Sequence, residues 1–141
     1  MVQKSLIHYL DPPPMPQIFV IQEHNVSHHH YDLRLEIDGV LKSFALPKTP
    51  PTEPGIKRLA IQTEDHALEY ANFEGEIPQG HYGAGTVTIW DRGELVVEDL
   101  RGNEKILFEL SGNKMQGRYV LIKTKIGGRK KNKNWLLFKR K

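Results

Sequence analysis

Residues 22–39 read QEHNVSHHHYDLRLEIDG, and four of the chain's seven histidines fall between positions 24 and 30. From His30 onward the chain alternates: His30, Asp32, Arg34 and Glu36 share one side of an extended strand, and Tyr31, Leu33, Leu35 and Ile37 share the other. An imidazole and a carboxylate two residues apart on one strand face are good metal ligands. Two imidazoles with one carboxylate suit Mn2+, Zn2+ or Fe2+ and leave positions open for water or substrate. His24, at the end of the preceding strand and across the turn, is a candidate third ligand, while His28 and His29 read as exposed turn residues beside Asn25 and Ser27. A second alternating strand is expected at residues 57–66, KRLAIQTEDH, with Arg58, Ala60, Gln62, Glu64 and His66 opposing Leu59, Ile61 and Thr63. A planar guanidinium matches two phosphate oxygens. Arg34 and Arg58, with His66 and Tyr70, would therefore form an oxyanion pocket beside the ion, and the chemistry indicated is metal-assisted attack on a phosphoester.

The elements that must position these groups are short strands. Residues 1–16 include DPPPMP and read as an extended proline-rich arm. Strands are expected over 17–24, over 30–37, and, after the Asp38-Gly39 hairpin turn, over VLKSFAL. A proline-rich loop, PKTPPTEPG, leads to the strand carrying Arg58 and His66. GEIPQGHYGAG reads as a glycine-rich loop, followed by strands TVTIWDRG, ELVVED, KILFEL, GRYVLIKTK and NWLLFKR. No helical pattern follows the glycines to supply a helix N-terminus, so tight turns explain them better than a nucleotide cradle. A short helix within LRGNEKILFELSGNKMQG competes with a strand there. Strands at hairpin spacing predict a single-domain, mainly β, antiparallel β-barrel or sandwich with little helix.

Composition excludes several classes. At 141 residues, 38% hydrophobic and 26% charged, the chain can bury a core and is not disordered throughout. It has no cysteine, so disulfides, thiolate metal sites and cysteine nucleophiles are out, and no apolar run reaches membrane-spanning length. A cytoplasmic protein is expected. The net charge of +3 hides an asymmetry: residues 123–141 hold nine Lys or Arg and no acid, while the first 122 carry a net −6. That block reads either as a solvated face or tail, or as a polyanion contact. Trp90 and Trp135 read as core or rim aromatics.

Three stretches, FVIQEHNVSHHHYDLRLEIDGVLKSFALPK, KRLAIQTEDHALEYANFEGEIPQGHYGAGTVTIWDRG and the terminal WLLFKRK, together resemble the 3′-phosphoesterase domain of bacterial and archaeal DNA ligase D over residues 17–141. The resemblance implies a stand-alone version of that domain: a β-barrel with a crescent-shaped groove that heals DNA 3′ ends during non-homologous end joining. Its implied activities are removal of a 3′-terminal ribonucleoside and then of the 3′-phosphate, with Mn2+ preferred and Co2+ or Zn2+ possible. Carried over by motif, the metal ligands are His24, His30 and Asp32, and the catalytic set is Arg34, Arg58, Glu64, His66 and Tyr70. The arginines would stabilise phosphate charge, His66 would contact the phosphate or protonate the leaving oxygen, Glu64 would orient an arginine or His66, and Tyr70 would donate to phosphate. The implied partners are DNA or RNA/DNA primer-template 3′ ends and a separate DNA ligase or polymerase, with a monomer as the default and no membrane. One departure is the arm, which carries Lys4 and His8 but no arginine to reach the phosphate.

Two other readings fit part of the pattern. His30 and Asp32 with a distal histidine such as His81 would suit a non-haem iron oxygenase. A non-catalytic nucleic-acid-binding module acting through the basic C-terminal block is the other.

Overall fold

The computed structural model describes residues 16–81, 84–125 and 132–141. The expected arm before residue 16, with Lys4 and His8, lies outside the described residues, as does the centre of the basic block. Among the described residues nine strands form: β1 (Gln17–Asn25), β2 (His30–Ile37), β3 (Val40–Leu46), β4 (Lys57–His66), β5 (Gly75–Ile77), β6 (Gly85–Arg101), β7 (Lys105–Ser111), β8 (Gln116–Lys123) and β9 (Asn134–Lys139). Their order is β1-β2-β3-β4-β9-β8-β7-β6, and β6 pairs back onto β1 to close an eight-stranded antiparallel barrel. β5 pairs only with the start of β6. Among the described residues the one helix is a 3-10 turn, η1 (Leu68–Asn72).

Alternation explains the core. Phe19, Ile21, Tyr31, Leu33, Leu35 and Ile37 point inward from β1 and β2, and share the core with Phe44 and Leu46 on the neighbouring β3 and with Trp135 and Leu137 from β9 across the barrel. The hairpin between β2 and β3 turns on Asp38 and Gly39, both at positive φ (55° and 81°), as a two-residue turn requires. Gly85 is needed for space: a Cβ there would fall 2.3 Å from the Asn25 carbonyl oxygen, where β6 runs against the end of β1. The glycine-rich stretch makes tight turns, with His81 N–H donating to the Pro78 carbonyl and Ala84 N–H to that of His81. A strand follows it, not a helix.

Three sequence expectations change, and the choice between helix and strand at KILFEL resolves to strand. TVTIWDRG and ELVVED are one continuous strand, β6, which bends at extra residues opposite Ile21/Gln22 and near Val97/Asp99. The faces of β4 are reversed: Ala60 is in the core beside Trp135, and Leu59 is 40% exposed. Finally, the end of the basic block is no tail, because Asn134–Lys139 is a barrel strand between β4 and β8 whose Trp135 and Leu137 are core residues.

Candidate functional site

The polar face of β2 points outward from the barrel, with Asp32 and Arg34 buried and His30 and Glu36 half-buried. A second apolar layer covers it: Val20, Leu41 and Ala71 are buried together, with Ile18, Leu68, Tyr70 and Ile89 packed around them. η1 supplies Leu68, Tyr70 and Ala71 to that layer. Asp32 and Arg34 are consequently 8% and 5% exposed, and His24 is 9% exposed.

Register brings the ligand candidates together. His24 pairs directly with His30 across β1 and β2, and Asp32 lies one step along, opposite Gln22. His24, His30 and Asp32 each offer a ligand atom, all within 4.8 Å of one another. His30 Nε2 is 3.3 Å and His24 Nδ1 3.8 Å from Asp32 Oδ2. Ligand bonds of about 2.1 Å place neighbouring donors roughly 3 Å apart, so small side-chain movements would close this set around a divalent ion. His30 Nδ1 lies 2.8 Å from the His28 carbonyl, which fixes it as the N–H nitrogen and turns Nε2 toward Asp32. The Asp32 carboxylate, bonded to His30, holds the imidazole above its ordinary value, against the opposing effect of burial. The residues present fit a two-histidine, one-carboxylate metal group.

Arg34 is held on all sides. Its Nε donates to Gln22 Oε1 at 2.6 Å, and Nη1 to Ser43 Oγ at 2.7 Å. Nη1 also lies 3.1 Å from His66 Nδ1. Nη2 is 3.6 Å from Asp32 Oδ2, beyond a good hydrogen bond, which leaves its protons directed toward the metal group. The Tyr70 ring lies 4.8 Å from the guanidinium carbon. Burial lowers the Arg34 pKa, and the nearby Asp32 carboxylate and Tyr70 oppose that shift. A guanidinium nevertheless stays charged in proteins.

His66 reaches this face because β4 bulges. Ser43 pairs with Thr63 but Leu41 pairs with His66, so Lys42 alone opposes Glu64 and Asp65. One extra residue reverses the side-chain parity, and His66 joins the outer face with Leu41 instead of the inner face with Gln62. The expectation that Gln62 and His66 share a face is thereby corrected; Gln62 accepts from Trp135 Nε1 inside the barrel. His66 Nδ1 is also 3.0 Å from the Glu64 carbonyl. One neutral ring cannot accept from Arg34 and donate to Glu64 through the same nitrogen, so these contacts choose between tautomers. The His66 and Tyr70 ring centroids are 4.8 Å apart, and Tyr70 stacks on Phe73.

Six of the eight sequence candidates therefore converge: His24, His30, Asp32, Arg34, His66 and Tyr70. Glu64 adjoins the group through its backbone carbonyl, while its side chain is exposed. Arg58 stands apart. It is eight residues from His66 along β4, on the order of 25 Å, and its Nε donates to the Thr49 carbonyl. That loop leaves β3 at Leu46, opposite Tyr31, so Arg58 belongs to the rim at the His30 end. His81 is not a member of the ligand group.

Sequence reasoning missed Gln22. It is fully buried, accepts from Arg34, and donates through Nε2 to the carbonyls of Tyr70 (2.8 Å) and Phe73 (3.2 Å). One amide thus fixes both the arginine and the segment that covers it. The available signal was an uncharged polar residue alternating with Val20 and His24 on a strand whose other face is apolar.

Fold and donor set define a closed antiparallel barrel with a candidate divalent-metal group on its outer wall, flanked by a buried arginine and a histidine. A family model described as the DNA ligase D 3′-phosphoesterase domain matches residues 22–123. The multifunctional non-homologous end joining protein LigD of Pseudomonas aeruginosa is 53% identical over 127 residues, which cover 87% of this chain and 15% of that protein. The protein of the same description from Mycolicibacterium smegmatis is 48% identical over 133 residues, 87% of this chain and 17% of that protein. The multifunctional non-homologous end joining DNA repair protein LigD of Mycobacterium tuberculosis is 51% identical over 109 residues, 75% of this chain and 14% of that protein. The chain belongs to the DNA ligase D 3′-phosphoesterase domain family. It spans only about a sixth of the length of these curated relatives.

Proposed function

We propose that this chain is a metal-dependent phosphoesterase that heals DNA 3′ ends, removing a 3′-terminal ribonucleoside and then the 3′-phosphate to leave a 3′-hydroxyl. The observation that carries the reading is the His24–His30–Asp32 group set against Arg34 Nη2 on one buried face. Family membership supports the phosphoester chemistry. His24, His30 and Asp32 would hold a divalent ion, for which we propose Mn2+ with Co2+ or Zn2+ as substitutes, and that ion would supply positive charge beside the phosphate and acidify a water. Arg34 turns its Nη2 protons to the phosphate, with Gln22 and Ser43 holding its plane through Nε and Nη1. A phosphate is an acceptor, so it favours the His66 tautomer that receives the Arg34 proton at Nδ1 and carries its own hydrogen on Nε2. From Nε2 that proton can reach the phosphate or the leaving oxygen. Tyr70 closes the pocket and donates to the same group, and Arg58 contacts the strand upstream of the end.

The substrates are DNA or RNA/DNA primer-template 3′ ends, and the product suits a DNA ligase or polymerase as the next enzyme. Residues 17–141 are the catalytic domain, and residues 1–16 an appended arm. The chain acts as a cytoplasmic monomer. Among the described residues no helix is long and apolar enough to cross a membrane.

The test is a gel assay on a primer-template with a labelled 3′-terminal ribonucleotide, with Mn2+ or EDTA, and with His30→Ala beside the parent chain. Metal-dependent trimming followed by loss of the 3′-phosphate, both absent in the variant, is the expected result. Duplex binding without turnover under any divalent ion would reduce the chain to a binding module. An oxygenase would instead consume oxygen with Fe2+, and the buried arginine and histidine beside the metal group favour phosphate over that reading.

A further inference from the structure

The barrel wall opposite the metal group carries a feature that phosphoester chemistry does not use. β9 and β8 lie four strands around the closed barrel from β1 and β2. Inward-facing Ala60, Trp135, Leu121 and Phe108 turn their strand neighbours outward. Two cross-strand rows result: Leu59 pairs with Leu136 and Leu136 with Ile122, while Phe138 pairs with Val120 and Val120 with Leu107. With strands about 4.8 Å apart, these six side chains lie side by side. Leu59 is 40% and Ile122 37% exposed, Leu136, Phe138 and Leu107 are half-buried, and Val120, between Phe138 and Leu107, is buried. A contiguous apolar surface of this kind marks an interaction site.

Cations frame it. Lys57 lies opposite Phe138 with its Nζ 5.5 Å from the ring centroid, and Lys105 lies opposite Ile122. Arg140 donates its backbone N–H to the Arg118 carbonyl at the edge of the same strands. Arg118 is already paired with Glu98. Glu109, beside it on β7, is the outward carboxylate in these paired segments.

We propose that this wall docks an acidic, amphipathic segment of a partner protein, with its apolar residues on the two rows and its carboxylates on the Lys57–Lys105–Arg140 rim. Charge complementarity selects that occupant. A second copy of the chain would set cation against cation. Residues 1–15 carry one lysine and one aspartate, so they bring no net charge to a basic rim. Nucleic acid would meet the cations but leave aliphatic rows against phosphate, where such surfaces use aromatic stacking. The proposal does not rest on the phosphoesterase reading.

The probe is a fluorescein-labelled synthetic amphipathic helix of Leu and Glu, titrated into the full chain by anisotropy and mapped by amide chemical shifts. Saturable binding is expected, with shifts confined to β4, β7, β8 and β9 and turnover on 3′-phosphate unchanged. Leu59→Gln with Ile122→Gln should weaken it at least about tenfold. Lys57→Glu with Lys105→Glu, which keeps the apolar rows, should do the same. All four positions lie on the surface, and an unchanged melting temperature confirms the fold of each variant. Replacing Glu by Lys in the peptide should abolish binding. The proposal is overturned by a lack of saturation, by shifts on the metal face, or by tighter binding of duplex DNA to the same amides. Concentration-dependent dimerisation through this wall, or exposure of these amides on deleting residues 1–15, would also overturn it.

Discussion

Arg34 on β2 and Tyr119 on β8 are both buried, on walls that face each other across the barrel, and they differ in what surrounds them. Arg34 meets Gln22, Ser43, His66 and Asp32, which together keep a charge in place under a second layer of structure. Tyr119 donates its hydroxyl to the Pro51 carbonyl at 3.1 Å, with the Met115 sulfur nearby, and stays neutral inside the single core. Removing a charge from water is tolerable only when partners replace it. The β1–β3 wall therefore has an outer layer, η1 with Leu68, Tyr70 and Ala71, that the far wall lacks among the described residues. One wall is built to hold charge, the other to hold the chain together.

The sharpest way to break that contrast is Arg34→Ala. It removes the charge that the outer layer encloses, and turnover of both 3′-ribonucleotide and 3′-phosphate ends should fall on the order of 10³-fold or more. Arg34→Lys should rescue little, because an ammonium cannot hold the Gln22 and Ser43 bonds while also reaching the phosphate. Steady-state kinetics decide this, and near-parental turnover in either variant would remove Arg34 from the mechanism. Next comes Gln22→Ala, which leaves the arginine charged but loosens it and the η1 segment together. A drop in kcat of roughly 10- to 100-fold is expected, with Mn2+ affinity held within about twofold because Gln22 is not in the ligand group. Loss of metal affinity in parallel would show instead that Gln22 supports the ligand strands.

How much of this contrast the sequence carries depends on periodicity. The inward face of β2 and the outward set His30, Asp32 and Arg34 follow from strict alternation, and the metal group follows from cross-strand register with His24. The burial of that outward set does not, because it depends on η1, a short segment with no helical periodicity of its own. Nor does the face of His66, which one extra residue in β4 reverses. The same alternation misplaced Leu59 and Ala60, since an alanine that makes room for Trp135 reads as a poor core residue in isolation. Charge counting found the basic block at 123–141 but not that its end is a barrel strand, so substitutions at its lysines, not truncation, are the way to probe duplex binding and its salt dependence.

The far wall has its own signature in alkali. Burial pushes the Tyr119 hydroxyl up to about 12, and the Asp91 carboxylate adds to the shift. The folded state therefore keeps the phenol proton more tightly than the unfolded chain, whose tyrosines titrate near the usual value of about 10. This contribution is fully present below about pH 10 and is lost as pH rises through about 12, reaching about 1 kcal/mol by pH 11. Urea unfolding between pH 9 and 12 should show that loss in the parent chain and not in Tyr119→Phe. Parallel curves for the two proteins would mean that the hydroxyl is solvated in alkali and that this wall opens.

Arg58→Ala should give the smallest change and tests where the charge-holding wall ends. Arg58 stands eight residues from His66 along β4, and its Nε bond to the Thr49 carbonyl ties it to a rim loop that begins beside His30. A rim cation reaches an upstream phosphate through solvent, where a single contact is weak and screened by salt. KM should rise about three- to tenfold at low salt, kcat should stay within about twofold, and the difference should shrink as salt is added. A kcat loss comparable to that of Arg34→Ala, unmoved by salt, would mean that substrate draws Arg58 and the 47–56 loop onto the scissile phosphate. The charge-holding region would then extend over the rim onto β4, and the boundary between the two walls would fall between Arg58 and Leu59.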